Sequence, residues 1–201
     1  MVRGRLRQRG VVIIVAEFGL HYITHVGNLD SIRQRGILSL NEVLRRGIER
    51  ADISDKAVQV LRDRSEPIWN RSIHDYVPLY LNPKNPMLYV RREMSDQLVI
   101  LKINESVTQG GEAIFCDGNA ASAATRFALD ERVLAESREA LRTEYWNGVE
   151  DGKRRRMAEV LIHQRVAPGE IRAVLCPNQI VATEVQNRHG LYALSSPSRF
   201  F

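Results

Sequence analysis

Apolar positions along this chain come in short runs whose spacing predicts an α+β protein. Leu20–Thr24 is β-rich. Helical spacing follows, with Asn28 as N-cap, Asp30 in the first turn and Gly36 where a C′ glycine ends a helix of about two turns. Ser39 and Glu42 form a capping box ahead of Val43, Leu44 and Ile48. Residues 51–73 are polar and weakly periodic, which predicts a long loop or a frayed helix. Asp75–Leu81 reads as a strand, and Pro78 inside it predicts an edge or bulged position. Asn82–Pro86 is a turn. Leu98–Asn104, Ala113–Asp117, Ala158–Gln164 and Ile171–Cys176 read as strands, and Leu191–Leu194 as a last short one. Asn119–Leu129, Glu131–Trp146 and Gln179–Asn187 carry helical spacing.

At 201 residues the chain is long enough for one packed domain. Residues 1–18 read as a basic arm with a short strand, and 19–201 as the domain itself. Arg3, Arg5, Arg7 and Arg9 alternate, so an extended arm would show them on one face. The basic start and the apolar VVIIVA run have the outline of a signal peptide. Glu17 closes that run without a small-residue cleavage site, so the reading is rejected. No run approaches a membrane span, and two cysteines without a CxxC motif fit a reducing, cytoplasmic setting. The net charge of +5, mostly arginine, favours an anionic partner such as nucleic acid or a phosphorylated small molecule.

There is no GxGxxG and no Walker A segment, so Rossmann and P-loop nucleotide sites are unsupported. His21 and His25 stand four apart without HExxH, which does not make a metal site. Neither Cys116 nor Cys176 has an evident activating base. His74 and Tyr76 share a strand face opposite Asp75, as an acid/base cluster or as structural hydrogen bonding. Glu159 is a lone acid inside an apolar run, directly after Arg154, Arg155 and Arg156. It is either an outward residue of a half-exposed strand or an acid that stabilises developing positive charge on a substrate. Tyr145 and Trp146, close to Lys153–Arg156, suit either base stacking beside phosphate contacts or aromatic packing at a helix end.

Taken together, these residues resemble the DarT-type DNA ADP-ribosyltransferases. The resemblance runs from about Tyr22 to Cys176. It is carried by Tyr22-Ile23-Thr24-His25 with Asn28-Leu29, Gly36-Ile37-Leu38-Ser39, Val58-Gln59 leading to Arg62, the segment HDYVPLYLNPKNPMLY from His74, Asp117 with Asn119-Ala120-Ala121-Ser122, and Ala158-Glu159-Val160-Leu161. It implies an ADP-ribosyltransferase-like split mixed β-sheet with surrounding helices and an NAD cleft. It implies transfer of ADP-ribose from NAD to a base of single-stranded DNA, as the toxin partner of a macrodomain antitoxin. By the same resemblance Glu159 and Arg62 are catalytic, and Tyr22, Ile23, Thr24, His25, Asn28, Ser31, Ser39 and Arg62 hold NAD, with no metal. Tyr145, Trp146, Arg154, Arg155 and Arg156 are the nucleic-acid candidates, and the segment from Asp117 to Glu159 reads the target base.

This chain departs from the pattern at Tyr22, where some relatives carry His, and at Leu61, where a second Arg often stands. The NAAS and LNPKNPMLY forms lean toward guanine over thymine as the target. The rival readings are an ADP-ribosyltransferase acting on RNA or protein, and a basic nucleic-acid-binding module without turnover. Cleavage of a nicotinamide–ribose bond develops positive charge on the sugar, as glycoside cleavage does, so one well-placed carboxylate is the minimum equipment. A guanidinium is a poor base, which favours an electrostatic role for Arg62.

Overall fold

The computed structural model describes residues 14–201. The alternating arginines of the basic arm lie outside them, and Ile14–Phe18, read as strand, is a short helix (α1). Ile14 and Val15 enter the main core, and Glu17 pairs with Arg138 and Arg142. In chain order there follow β1 (Leu20–His25), α2 (Leu29–Arg35), β2 (Ile37–Leu38), α3 (Leu40–Arg45), α4 (Lys56–Arg62), β3 (Tyr76–Tyr80), α5 (Pro86–Val90), β4 (Leu98–Ile103), β5 (Ile114–Cys116) and β6 (Phe127–Ala128). The chain then runs through α6 (Arg138–Arg142), α7 (Gly152–Arg155), β7 (Glu159–His163), β8 (Arg165–Val166), β9 (Ile171–Cys176), α8 (Gln179–His189) and β10 (Ala193–Ser195).

Eight strands form one mixed sheet in the order β10-β9-β4-β1-β3-β7-β5-β6, and β2 pairs with β8 apart from it. Only β10–β9 is parallel among the described ladders. Side chains alternate between faces along each strand. Val99 and Leu101 of β4 therefore join the main core with Leu20, Val77, Leu79 and Val160. Leu98 and Ile100 go to the other face with Ile23, Tyr80, Leu88 and Phe200.

The sheet is split at its centre. β1 pairs with β4 over six residues but meets β3 only at His21–Tyr80. β3 in turn pairs along its full length with β7. This corrects the expectation for Pro78, which lies in the middle of the sheet rather than at an edge. The Asp75 carbonyl and the Leu81 N–H bond toward the β7 side, so the residues at 76, 78 and 80 turn their backbone toward β1. The missing N–H of Pro78 thus falls where the two halves part, and no ladder bond is lost.

Two more expectations change. Residues 51–73 hold a regular helix, α4, with Asp55 accepting from the Ala57 and Val58 N–H groups. The loop after it is organised by buried Glu66, whose carboxylate accepts from the backbone N–H of Ile68, Trp69 and Arg71 and from the Tyr76 hydroxyl. Asn119–Leu129 is a series of turns ending in β6, because its orphan groups bond to Asp117, Arg64 and Arg154 instead of to an i−4 neighbour. Gly36 does close α2, with φ +80° and the Val166 carbonyl only 2.1 Å from where a Cβ would stand. Ser39 caps α3 through the Glu42 N–H, but the Glu42 carboxylate turns to Arg45 and Arg46 rather than completing the box.

Candidate active site

Glu159 opens β7, opposite Tyr80 of β3 and Cys116 of β5. Strand alternation places it on the same side of β7 as Leu161, away from the Val160 side that fills the main core. It is completely buried. Its carboxylate accepts from the Ala120 N–H at 2.6 Å and from Arg62 Nη1, at 2.9 Å to Oε1 and 3.3 Å to Oε2. The outward-facing reading of Glu159 is thereby excluded.

Arg62 ends α4 and is itself buried. Burial disfavours its charge, but the Glu159 carboxylate outweighs burial and holds the guanidinium above its ordinary value. Arg62 is therefore a fixed cation and not a proton acceptor. Its Nη2 is buried without a partner, and Arg62 lines the adjoining cleft.

That cleft has a volume of about 430 Å³ and opens along the seam of the sheet. Tyr22 and Ile23 come from one half of the sheet, Pro78 and Tyr80 from the other, and Ser39, Gln59, Arg62, His74, Asn119, Lys153 and Met157 complete much of the wall. Burial and the Glu159 charge raise the Tyr80 hydroxyl, and burial raises Tyr22, so both stay protonated. Burial and the same negative charge push the Cys116 thiol well up, which removes it as a nucleophile. A smaller recess of about 60 Å³ shares Tyr22 and Ile23 and adds Thr24, Asn28 and Ser31.

The expected NAD residues thus converge, with one exception. Tyr22, Ile23, Thr24, Asn28, Ser31, Ser39 and Arg62 line the cleft or the recess. Asn28 donates to Thr24 Oγ1 and exchanges two hydrogen bonds with the Ala51 backbone, which fixes the recess wall. His25 does not line either. Its Nδ1 accepts from the Gly27 N–H and its Nε2 lies 3.2 Å from Gln97 Oε1, so it serves as a cap.

The nucleic-acid candidates are largely spent inside the protein, which corrects the expectation of a phosphate groove at Arg154–Arg156. Arg156 is 2% exposed and donates to the carbonyls of Lys84, Ala140 and Thr143. With no carboxylate near it, burial lowers its pKa to about 10. Arg154 pairs with Asp117 at 2.7 Å, and Arg155 is half-buried against Asp151. Trp146 packs edge-on to Tyr89 and Phe201, which is the aromatic-packing alternative, while Tyr145 is exposed.

Arg154 has a different task. Burial opposes ionisation of Asp117, but the Arg126 N–H and the Arg154 guanidinium outweigh it and hold the carboxyl below its usual value. Arg64 donates to the Ala120 and Ser122 carbonyls from the other side. Together they fix the turn whose Ala120 N–H holds Glu159. Glu66 and Arg64 were not singled out from the sequence, because a single charged residue in a polar loop carries no periodic signal, and Ala120 entered only as part of the Asn119–Ser122 motif. Among the described residues no group of three or more His, Cys, Asp or Glu side chains is placed to hold a metal ion. No described helix is long and apolar enough to cross a membrane.

A family model described as "ssDNA thymidine ADP-ribosyltransferase, DarT" matches residues 21–197. The chain belongs to the DarT family. Its name for the target is thymidine, so the lean toward guanine finds no support. A DNA ADP-ribosyl transferase–DNA ADP-ribosyl glycohydrolase fusion protein of Thermosipho africanus is 30% identical over 190 residues, covering 90% of this chain and 49% of the relative. The chain therefore spans about half the length of that relative. The solved structure of Thermosipho africanus DarTG with ADP-ribose superposes with a TM-score of 0.82 at 29% identity, over 90% of this chain and 50% of that one. DarT of Thermus sp. 2.9 shares the fold. Its complex with ADP-ribosylated ssDNA gives a TM-score of 0.79 at 21% identity, covering 90% of this chain and 95% of that one. Its complex with NAD+ gives 0.75 at 20%, covering 90% and 96%. The split mixed α+β fold expected from the DarT resemblance is the fold observed.

Proposed function

We propose that this chain transfers ADP-ribose from NAD+ to thymine in single-stranded DNA, as the toxin of a toxin–antitoxin pair. The observation that carries the reading is Glu159, a buried carboxylate held by Arg62 and the Ala120 N–H beside a cleft between the two halves of the sheet. The family's description and the relatives' complexes with ADP-ribose, NAD+ and ADP-ribosylated ssDNA support the substrates. The Thermosipho fusion to a glycohydrolase supports a macrodomain antitoxin that removes the mark. A toxin that acts on the cell's own DNA works in the cytoplasm.

The residues present fit NAD+. The cleft volume lies in the range of about 300–1,000 Å³ typical of such sites. Apolar and aromatic walls at Ile23, Tyr22 and Tyr80 suit a flat ring, and the unpartnered Arg62 Nη2 awaits an acceptor. Tyr22, Ile23, Thr24, Asn28, Ser31, Ser39 and Arg62 would hold it. Bound NAD+ supplies a glycosidic bond whose leaving group departs neutral.

Glu159 then provides the negative charge opposite the developing positive charge on the ribose, and oxygens that accept from ribose hydroxyls. The Ala120 N–H keeps the carboxylate oriented while it does so. Arg62 holds the Glu159 carboxylate in place through Nη1 and offers Nη2 to the ligand. The single strand is the cheaper substrate because its base need not be extracted from a stack.

The test is incubation with NAD+ and mixed single-stranded oligonucleotides, followed by mass spectrometry of the nucleosides and measurement of nicotinamide release. ADP-ribosyl-thymidine is expected, with release stimulated by the DNA. Modified guanosine overturns the target base. Modification of RNA or protein with DNA left untouched overturns the substrate class, and absence of DNA-stimulated nicotinamide release overturns the catalytic reading.

A further inference from the structure

A strand that delivers one base into the cleft lays its neighbouring nucleotides on the rim, and charge separates two stretches of that rim. The segment 50–55 carries Asp52 and Asp55, and its arginine, Arg50, is paired with Asp52. Helix α5 and the start of α7 carry the opposite sign. Pro86, Met87 and Val90 of α5, Arg91 just after it and Lys153 of α7 line the cleft, and Lys84 and Arg92 flank α5. Arg91 is engaged, donating to the Ile53 and Ser54 carbonyls. Among the described residues Lys84, Arg92 and Lys153 pair with no carboxylate, unlike Arg126, Arg138, Arg142 and Arg154.

Exposed aromatic surface adjoins these cations. Tyr89 is 43% exposed and Val90 60%. The Tyr89 ring meets Trp146 and Phe201 edge-on, with centroids 6.1 and 5.2 Å away, and those two meet each other edge-on as well. The three rings brace one another, which holds Tyr89 in place at the surface. The Arg92 guanidinium lies over the Tyr89 ring, with Cζ 4.5 Å from its centroid, and donates to the Tyr89 carbonyl. The Lys84 ammonium lies over Phe201 at 5.2 Å. Gly152 closes the turn between Trp146 and Lys153 so tightly that a Cβ there would stand 2.1 Å from the Trp146 carbonyl.

We propose that this rim seats the single strand beside the target base, with a flanking base stacked on the Tyr89–Arg92 pair and phosphates facing Lys84, Arg92 and Lys153. The proposal rests on the transferase reading above and adds to it the path of the strand. Aromatic rings and guanidinium planes stack on any base, and unpaired cations gain most from phosphates. Rings that are already braced give up little freedom on binding. An acidic peptide would match the charge but not the rings. The strand thus crosses α5 rather than Arg154–Arg156, whose side chains are spent inside the protein.

The experiment measures anisotropy of a labelled single strand with one thymine between adenines, and of the same strand with abasic sites beside the thymine, together with transfer to each. Wild type should bind the abasic strand more weakly, by about 5–150-fold for each stacked base lost. Tyr89→Ala should lose a similar factor on the adenine strand and little on the abasic one, while Tyr89→Trp should bind as wild type does. Lys84→Gln and Arg92→Gln should each lower the log–log salt slope by about 0.7. Tyr89→Ala within about twofold of wild type on the adenine strand, far less than one stacked base contributes, overturns the proposal. So does an equal loss on both strands, or a salt slope that stays whole when Lys84 and Arg92 are both replaced. Wild type binding the two strands equally overturns it without recourse to any variant. Absence of transfer to DNA by wild type overturns the transferase reading and this proposal with it, whereas wild-type transfer with an indifferent Tyr89→Ala overturns the proposal alone.

Discussion

Arg62 Nη1 lies 2.9 Å from Glu159 Oε1, and both side chains are closed to solvent. The two residues are 97 positions apart, one ending a short helix and the other opening a central strand. Each is the other's charge partner, so the proposed transfer and the stability of the fold both depend on this pair. Glu159→Ala should lower transfer by at least about 10²–10³-fold. It should also destabilise the fold, since removing one member of a buried pair costs about 3–5 kcal/mol. A transfer assay beside a thermal melt checks both. Retention of more than about a tenth of wild-type transfer, far outside that range, would sink the catalytic assignment.

Arg62→Lys separates charge from geometry. An ammonium can approach Glu159 but has no second planar nitrogen for the position of Nη2. Lysine should recover more of the melting temperature than alanine does while leaving transfer strongly impaired. Full activity in the lysine variant would show that a point charge is enough.

The three arginines before Glu159 should behave differently from DNA-contacting residues. Arg156→Ala removes the guanidinium donor from the Lys84, Ala140 and Thr143 carbonyls, and each one left unpaired costs about 1–3 kcal/mol, so the melting temperature should drop. Arg154→Ala should release Asp117 and the turn that carries Ala120, lowering transfer more than DNA affinity. The salt dependence of oligonucleotide binding, about 0.7 in log–log slope per phosphate neutralised, should persist in both. A slope that falls by a full phosphate in Arg156→Ala would place that residue on the DNA.

Acid sensitivity should come in part from His21. It is 2% exposed at the single point where β1 meets β3, and burial lowers its pKa from 6.5 to about 4. Between those values the unfolded chain binds a proton that the folded one refuses, so stability falls as pH drops from 6.5 toward 4. The full loss is about 3 kcal/mol. Melting curves across that window should show the decline, and His21→Asn should flatten it. An unchanged pH dependence in that variant would assign the sensitivity elsewhere.

Much of this molecule was legible along the chain. The strands at Leu98–Ile103 and Ile171–Cys176, the glycine stop of α2 and the Ser39 cap follow from periodicity and from local hydrogen bonding, both of which act within a few residues. The resemblance singled out Glu159, Arg62 and the Tyr22–Ser39 region, and folding brings Arg62 to Glu159 and to the cleft that Tyr22 and Ser39 line. Tertiary structure alone decided how charge was used. Arg154, Arg155 and Arg156 look alike in sequence, yet one fixes a turn, one is half-buried and one is interior, since the α7-to-β7 junction aims successive side chains in different directions. Pro78 reads as an edge because a proline cannot donate a ladder bond, and only the opening between β1 and β3 shows that none was needed there. Glu159 reads as a surface acid by its neighbours, and only a guanidinium from 97 residues away makes it a buried one. Local pattern records what each segment can form by itself, while burial and charge pairing depend on which distant segment arrives beside it.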